Sequence, residues 1–157
     1  MTQRINYAKV SPDGFKAIRG LQEHVDKCGL EHPLLELVKM RASQLNGCAY
    51  CLDMHSKDAR AAGETEQRLY LLDAWRESPF YSERERAALT WTEALTRISK
   101  TKDVSDALYD EVRKQFSEKE LVDLTLAIIA INGWNRLAIP FRSEPGHYHP
   151  RKAAQAT

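Results

Sequence analysis

The chain has 157 residues, with 23 Lys and Arg against 22 Asp and Glu and a formal net charge of +1. Its 43% hydrophobic and 29% charged residues are typical of a folded globular domain and exclude a largely disordered chain. Basic and acidic residues are mixed along the whole chain, so no nucleic-acid interface is expected. No apolar run approaches the ~20 residues that span a bilayer. The first residues, MTQRINYAKVSPDG, lack the apolar run of a secretory signal, so we expect a cytoplasmic protein without membrane partners.

Apolar residues recur at helical spacing almost throughout the chain, and no alternating apolar–polar run is typical of a strand. We therefore predict an all-α fold, in which residues 1–157 form a single-domain helical bundle of six to seven helices. Proline, glycine and capping residues set the boundaries of these helices. In chain order they run from Pro12 to Cys28, from Pro33 to about Leu45, from about Cys48 to Gly63, over EQRLYLLDAWRE after Thr65, from the Ser82–Glu85 capping box to about Ile98, from Ser105, and over ELVDLTLAIIAINGWNRLAI after the Ser117–Glu120 capping box.

The last predicted helix is nearly all apolar in its middle, which is typical of a buried central helix. Pro140 is predicted to end it. The segment from about residue 143 to 157 is expected to be mobile or to pack on a partner subunit. The apolar last helix and the tryptophans offer more apolar surface than short helices easily bury, which favours a homo-oligomer.

The stretch NGCAYCLDMH holds two of the three cysteines, Cys48 and Cys51, followed by His55. At about 100° per residue, the three side chains fall within a sector of about 60° on one helix face. The opposite face carries charged residues, so the two thiols and the imidazole are predicted to point inward. Cys48 also lies in the first turn of the helix, where free backbone N–H groups and the positive helix end stabilise a thiolate.

Several kinds of site fit this spacing. The cysteines and His55 can be buried packing residues, or they can be ligands of a structural zinc ion. A zinc site needs four ligands, however, and only one C-x-x-C pair is present, with His147 and His149 far away in the tail. Covalent haem attachment requires a histidine directly after the second cysteine, where this chain has leucine. A thiol–disulfide redox couple, with no metal, is the interpretation that the pattern favours.

The segment NGCAYCLDMHSKDARAAG resembles the signature of the AhpD-like alkylhydroperoxidase family, within the carboxymuconolactone decarboxylase-like superfamily. AINGWNRLAIPFR also resembles the closing helix of its small members, and the resemblance spans roughly residues 10–142. It implies an all-helical AhpD-like fold and an obligate homo-oligomer, a trimer or hexamer. It also implies peroxiredoxin-type reduction of alkyl hydroperoxides in antioxidant defence.

The same resemblance implies the residues of the site. The family has a glutamate twelve residues before the first cysteine, a position that Glu36 occupies here. The implied catalytic set is Glu36, Cys48, Cys51 and His55, with a Cys48–Cys51 redox disulfide and a Glu/His proton relay. No cofactor is implied, but an external thiol, dithiol or adaptor protein must act as reductant. Between the cysteines, Tyr50 stands where the enzyme that names the family has histidine; tyrosine donates a hydrogen bond but does not titrate near neutral pH, so we expect a supporting residue.

The wheel position of Glu36 alone, beside Lys39 and Ser43, instead predicts a solvated carboxylate. For the chemistry, the helix end favours Cys48 as the attacking thiolate, whereas the family's relay runs to the second cysteine. We therefore predict that Cys51 attacks and Cys48 resolves. Two other functions remain open. One is a carboxymuconolactone decarboxylase-like lyase, which has no need of paired cysteines. The other is a non-enzymatic thiol redox sensor or oligomeric interaction protein.

Overall fold

The computed structural model describes residues 2–150, and every regular element in that range is helical. The helices are α1 (Tyr7–Val10), α2 (Pro12–Val25), α3 (His32–Asn46), α4 (Ala49–Ala61), α5 (Glu66–Leu71), α6 (Glu83–Thr96), α7 (Ile98–Thr101), α8 (Asp106–Arg113) and α9 (Glu118–Phe141). The all-α prediction is confirmed. The seven longer helices are the predicted ones, whereas α1 and α7 are single turns that the periodicity did not indicate.

Local capping signals determine most of these boundaries. Both predicted capping boxes are present, at the starts of α6 and α9. Thr65 and Ser105 cap α5 and α8 with their side chains. The fourth predicted helix is shorter than expected, because α5 passes into a 3₁₀ turn over Leu72–Ala74. The first predicted helix also ends early, at Val25 instead of Cys28.

Helix α3 shares the centre of the bundle with α9, the helix that the sequence predicted to be buried there. All ten residues from Leu34 to Ser43 are buried, and α3 packs against α4, α6 and α9. The helix wheel did not indicate this because α3 carries charged side chains on more than one face. Arg41 is buried beside Glu93, to which its Nε donates at 2.8 Å, so its charge is paired inside the protein.

Helix α9 packs against α2, α3 and α6, yet it leaves Val122, Ile129 and Ile139 exposed. Within residues 2–150 it is the one helix long and apolar enough to cross a bilayer, a property that core helices share. Pro140 does not end α9 but lies inside its last turn. Arg4 donates from its backbone N–H and its Nη1 to the carbonyl oxygens of Phe141 and Pro140, both at 3.0 Å, and so pairs two carbonyl groups that the helix end leaves without a helical donor.

The segment after α9 runs back along α4 of the same chain. The Gly146 N–H donates to Asp53 Oδ2 at 2.9 Å, and Lys57 Nζ donates to the Tyr148 carbonyl oxygen at 3.1 Å. The Tyr148 hydroxyl donates to Asp58 Oδ1 at 2.7 Å. The sequence predicted a mobile or partner-packed tail from about residue 143, whereas these residues bond to their own chain. The rest of that predicted tail, residues 151–157, lies outside the described residues.

Candidate active site

The turn between α3 and α4 places the cysteine pair. Gly47 ends α3 with φ +70°, a left-handed conformation that glycine adopts without strain. Cys48 then forms the N-cap of α4, and its Sγ accepts a hydrogen bond from the Cys51 N–H at 3.4 Å. The chain reverses at this point, so α4 runs back along α3 and brings the two helices into contact. The predicted position of Cys48 at a helix start is confirmed.

Cys48 and Cys51 are each only 1% exposed, and the structure pairs them as a disulfide with their Cα atoms 5.4 Å apart. The third cysteine, Cys28, is free and half-buried. Small and apolar side chains surround the pair: Ala42, Ile131, Ala138 and, less completely buried, Tyr50 and Trp134. The pair is therefore shielded from bulk water, and the adjacent N–H of the first helical turn is the polar group that contacts sulfur.

Tyr50 lies between the cysteines and is half-buried. Burial, together with the nearby groups Tyr7 and Asp53, raises the pKa of the Tyr50 hydroxyl above its ordinary value. The side chain therefore stays neutral at physiological pH. It can give or accept a hydrogen bond beside the disulfide, but it cannot replace a titrating histidine.

Glu36 and His55 meet across the α3–α4 contact. His55 Nδ1 lies 3.0 Å from Glu36 Oε2, and both residues are buried. An ionised carboxylate only accepts hydrogen bonds, so the proton of this pair belongs on Nδ1 of His55. The glutamate predicted twelve residues before Cys48 is thus in direct contact with the predicted histidine. The wheel position predicted a solvated carboxylate. That prediction is wrong, because Glu36 is only 2% exposed.

Lys39 is a member of this cluster that the sequence analysis did not assign to the site. Its Nζ donates to Glu36 Oε1 at 2.8 Å, and the lysine is itself 6% exposed. His32 Nε2 lies 3.6 Å from the same oxygen. Burial opposes ionisation of Glu36, but the hydrogen bonds and charges of His55 and Lys39 outweigh it and lower the pKa of Glu36 to about 2. The three-residue spacing of Glu36 and Lys39, about one helical turn, is the sequence pattern that could have indicated this contact.

Asp58 completes the group of charged side chains around His55. Glu36, His55 and Asp58 each offer an atom within 4.8 Å of the others, a spacing that could also suit a metal ion. The two oxygens of Glu36 are already engaged by Lys39 and His55, however, and the lysine ammonium repels a second cation. The chemistry of the cluster therefore suits proton transfer better than metal binding.

A set of amide side chains fixes the start of the motif against α9. Asn46 Nδ2 donates to Asn135 Oδ1 at 2.8 Å and to Asn132 Oδ1 at 3.0 Å. Asn135 is fully buried and donates in turn to Ser43 Oγ at 3.1 Å. The last turn of α3 is thereby held just before Gly47 and Cys48. The sequence leaves Asn135 open to a pairing across a subunit contact or to a cap at a helix end. In the structure it instead bonds to Asn46 and Ser43 of its own chain, about 90 residues away.

Comparison with known proteins shows which family the chain resembles. The sequence model of the carboxymuconolactone decarboxylase family matches residues 12–94. The uncharacterized protein YdfG of Bacillus subtilis is 46% identical over 139 residues, which are 88% of this chain and 94% of YdfG. A crystal structure from Agrobacterium tumefaciens superposes with a TM-score of 0.89 at 48% identity, covering 94% of this chain and all of that one. That protein is of unknown function and has been proposed to be the antioxidant defence protein AhpD.

A more distant structure shares the fold alone. It is a peroxidase-related protein from Ralstonia eutropha, described as an alkylhydroperoxidase AhpD core, with a TM-score of 0.76 at 20% identity over 89% of this chain and 74% of that one. The family match covers the motif helix, the glutamate and both cysteines. The chain therefore belongs to the carboxymuconolactone decarboxylase family, and its all-helical fold is that of the AhpD-like members.

Proposed function

We propose that the protein is a cysteine-dependent peroxidase that reduces alkyl hydroperoxides. The observation that carries the proposal is the buried Cys48–Cys51 pair at the start of α4, on the same helix face as a histidine held by an ionised glutamate. Paired cysteines store two electrons, and the Glu36–His55 pair supplies a proton donor one turn from Cys51.

In the proposed cycle, the Cys51 thiolate attacks the terminal oxygen of the hydroperoxide. The O–O bond breaks, the alkoxide takes up a proton and leaves as an alcohol, and Cys51 becomes a sulfenic acid. The Cys48 sulfur then attacks the Cys51 sulfur and forms the disulfide. The hydroxide displaced from Cys51 takes up a proton and leaves as water. An external dithiol reopens the disulfide by exchange and is itself oxidised. No cofactor is needed, but a thiol, dithiol or adaptor protein must deliver the two electrons.

The cysteines take different parts in this cycle. The hydrogen bond from the Cys51 N–H to Cys48 Sγ supports Cys48 as a stabilised thiolate that can resolve the sulfenic acid. His55 lies one helical turn after Cys51, where it can protonate the leaving alkoxide. Glu36 holds Nδ1 of His55, which leaves Nε2 for that proton transfer. Lys39 keeps Glu36 ionised, and Tyr50 supports the pair with its hydroxyl.

We further propose a cytoplasmic homo-oligomer, a trimer or hexamer. The exposed apolar residues of α9 support a subunit contact on that face, because isolated monomers rarely expose contiguous apolar patches. A reducing compartment suits a C-x-x-C pair that must be reopened after each turnover. Neither nucleic acid nor a membrane has a part in this cycle.

Counting thiols before and after one equivalent of cumene hydroperoxide tests the proposal. We expect the reduced protein to lose two thiols per chain and to recover both with dithiothreitol, while Cys28 stays free. The Cys28→Ser variant is the matched control and should lose the same two. A disulfide that includes Cys28, or stoichiometric zinc in the purified protein, would contradict the proposal.

A further inference from the structure

Asn135 of α9 is a buried amide that bonds twice to the last turn of α3, and it lies outside residues 12–94, which the family model matches. Its Oδ1 accepts from Asn46 Nδ2 at 2.8 Å, and its Nδ2 donates to Ser43 Oγ at 3.1 Å. Asn135 and Ser43 are both 0% exposed. Because a buried amide without partners is costly, these two bonds fix the end of α3 against α9.

Ser43 joins this amide to Cys48. The Ser43 carbonyl oxygen accepts from the Cys48 N–H at 3.0 Å, and the Gln44 carbonyl oxygen accepts from the Gly47 N–H at 3.2 Å. These are the two bonds of a Schellman turn, in which a left-handed glycine ends a helix. The turn leaves Cys48 in an extended conformation, with φ −86° and ψ 94°, as the N-cap of α4. The position of Cys48 therefore depends on this turn as well as on the helix that carries Cys51.

The disulfide and the bonds of Asn135 restrain Cys48 in different redox forms. In the oxidised protein, the S–S bond to Cys51 holds Cys48 in place. In the reduced protein that bond is absent, and the turn is held by its own hydrogen bonds and by Asn135. Loss of the Asn135 bonds weakens the turn equally in both forms, but only the reduced form can respond by releasing Cys48. The free energy of the reduced form is therefore raised less than that of the disulfide form.

We propose that Asn135 is a positioning residue for Cys48, which favours closure of the Cys48–Cys51 disulfide in its exchange with a dithiol. In the exchange with dithiothreitol, the protein S–S bond breaks, an S–S bond forms within dithiothreitol, and its two thiol protons pass to the cysteines. This equilibrium needs no peroxide. In the peroxide cycle, which rests on the proposed function, the same restraint brings Cys48 to the sulfenic acid of Cys51.

The test equilibrates the Cys28→Ser protein with reduced and oxidised dithiothreitol in varied ratios and counts its remaining two thiols after acid quenching. In Asn135→Ala the equilibrium should shift about tenfold toward the dithiol form, which is about 30 mV for a two-electron couple. Ser43→Ala removes one of the two bonds and keeps the backbone contact to Cys48, so it should shift the equilibrium in the same direction by less. If Asn135→Ala does not fold, the result for Ser43→Ala decides.

Thr125→Val is the matched control on the same helix, about 15 Å along α9 from Asn135. It removes the hydroxyl that accepts from Trp91 Nε1 at 3.0 Å, a contact between α9 and α6. A residue that only supports the fold stabilises both redox forms equally. Thr125→Val should therefore lower the midpoint of denaturant unfolding and leave the exchange equilibrium unchanged. An unchanged equilibrium in the Asn135 and Ser43 variants, a shift toward the disulfide, or an equal shift in Thr125→Val would overturn the proposal.

Peroxide assays on the same proteins separate this proposal from the proposed function. If the wild-type protein reduces no peroxide while the equilibrium shifts in Asn135→Ala, the proposed function fails and the positioning role of Asn135 stands. If peroxide is reduced while the equilibrium is unchanged in both variants, the proposed function stands and the positioning role fails.

Discussion

Lys39 and His55 engage the two oxygens of Glu36 inside the protein, and this cluster is the residue-scale feature on which the proposed chemistry depends. A buried carboxylate without partners would take up a proton, whereas this one is held ionised by a buried ammonium and an imidazole. Removal of one member leaves the others with uncompensated charge, which typically costs about 3–5 kcal/mol. The cluster therefore links the stability of the α3–α4 contact to the state of the site.

Glu36→Gln keeps the shape of the side chain and removes its charge, so it tests whether the ionised carboxylate takes part in peroxide reduction. We expect peroxide reduction to slow by about 10²–10⁴-fold, the usual range for a lost acid–base contribution. Glu23→Gln, on the exposed surface of α2, is the matched control and should react at the wild-type rate. Wild-type kinetics in Glu36→Gln would leave Glu36 without a part in the chemistry.

The lowered pKa of Glu36 also predicts how the free energy of unfolding depends on pH. The pKa of Glu36 is lowered in the folded protein from 4.5 to about 2, so its contribution is complete above pH 4.5 and lost as the pH falls toward 2. At about 1.4 kcal/mol per unit, the contribution is on the order of 3 kcal/mol. We expect the difference in free energy of unfolding between wild type and Glu36→Gln to narrow between pH 4.5 and pH 2. A difference that stays constant across this range would contradict the prediction.

The two cysteines can be told apart by trapping sulfenic acid with dimedone. If Cys51 attacks, Cys48→Ser should accumulate a sulfenic acid at Cys51, because the resolving sulfur is missing. Cys51→Ser should show no labelling at Cys48. Peptide mapping after one equivalent of peroxide gives the answer, and Cys28→Ser in both backgrounds removes the third thiol. The opposite labelling pattern would assign the attack to Cys48, at the helix end.

At the scale of elements, the sharp reversal between α3 and α4 joins the glutamate to the cysteine and histidine helix. Gly47 makes this reversal in a left-handed conformation, with nothing within 4 Å of an added Cβ. Any cost of a substitution here therefore comes from the backbone and not from a clash.

Gly47→Ala should lower the free energy of unfolding by about 1–2 kcal/mol, the cost of a left-handed conformation for a residue with a Cβ. Gly20 lies inside α2, also with open space around it, and is the matched control. Gly20→Ala should instead raise stability by about 0.5–1 kcal/mol, because alanine favours a helix interior. Denaturant unfolding measures both, and equal effects of the same sign would contradict the account of the turn.

The sequence predicts those features of the helices that depend on residues close together in the chain. The capping boxes, Gly47 and the inward face of Cys48, Cys51 and His55 depend on residues a few positions apart, so patterns within one helix indicate them. The central position of α3 depends on pairs such as Arg41 with Glu93, 52 residues apart. The Asp58–Tyr148 contact likewise joins residues 90 positions apart. Periodicity within one helix carries no information on such pairs. For that reason the charged side chains of α3 indicated, wrongly, helix faces exposed to solvent.

At the scale of the whole molecule, one face of α9 presents apolar side chains to solvent. Val122 and Ile129 are 59% and 51% exposed, seven residues apart on the same side of the helix. The exposed stripe lies on the outer side of α9, whereas the inner side of the same helix packs against α3. A second copy of the chain would remove the stripe from water, which is the physical reason for expecting an oligomer.

Light scattering at micromolar concentration should therefore give a mass of three or six chains. The double substitution Val122→Asp and Ile129→Asp places two charges on the stripe and should reduce the mass to that of one chain. Tyr70→Asp is the control, because Tyr70 is an exposed apolar residue on α5, outside the stripe. A wild-type protein that is monomeric at this concentration would contradict the prediction.

The central claim is that the Cys48–Cys51 pair turns over peroxide with electrons from a dithiol, and steady-state product analysis tests it most directly. Cumene hydroperoxide and dithiothreitol are supplied in excess, and the alcohol formed and the dithiol oxidised are quantified together. The account predicts many equivalents of alcohol per chain, equal to the dithiol oxidised, in wild type and Cys28→Ser but none above background in Cys51→Ser. A single equivalent per chain would indicate a redox sensor, and undiminished turnover in Cys51→Ser would place the chemistry elsewhere; either result would contradict the account.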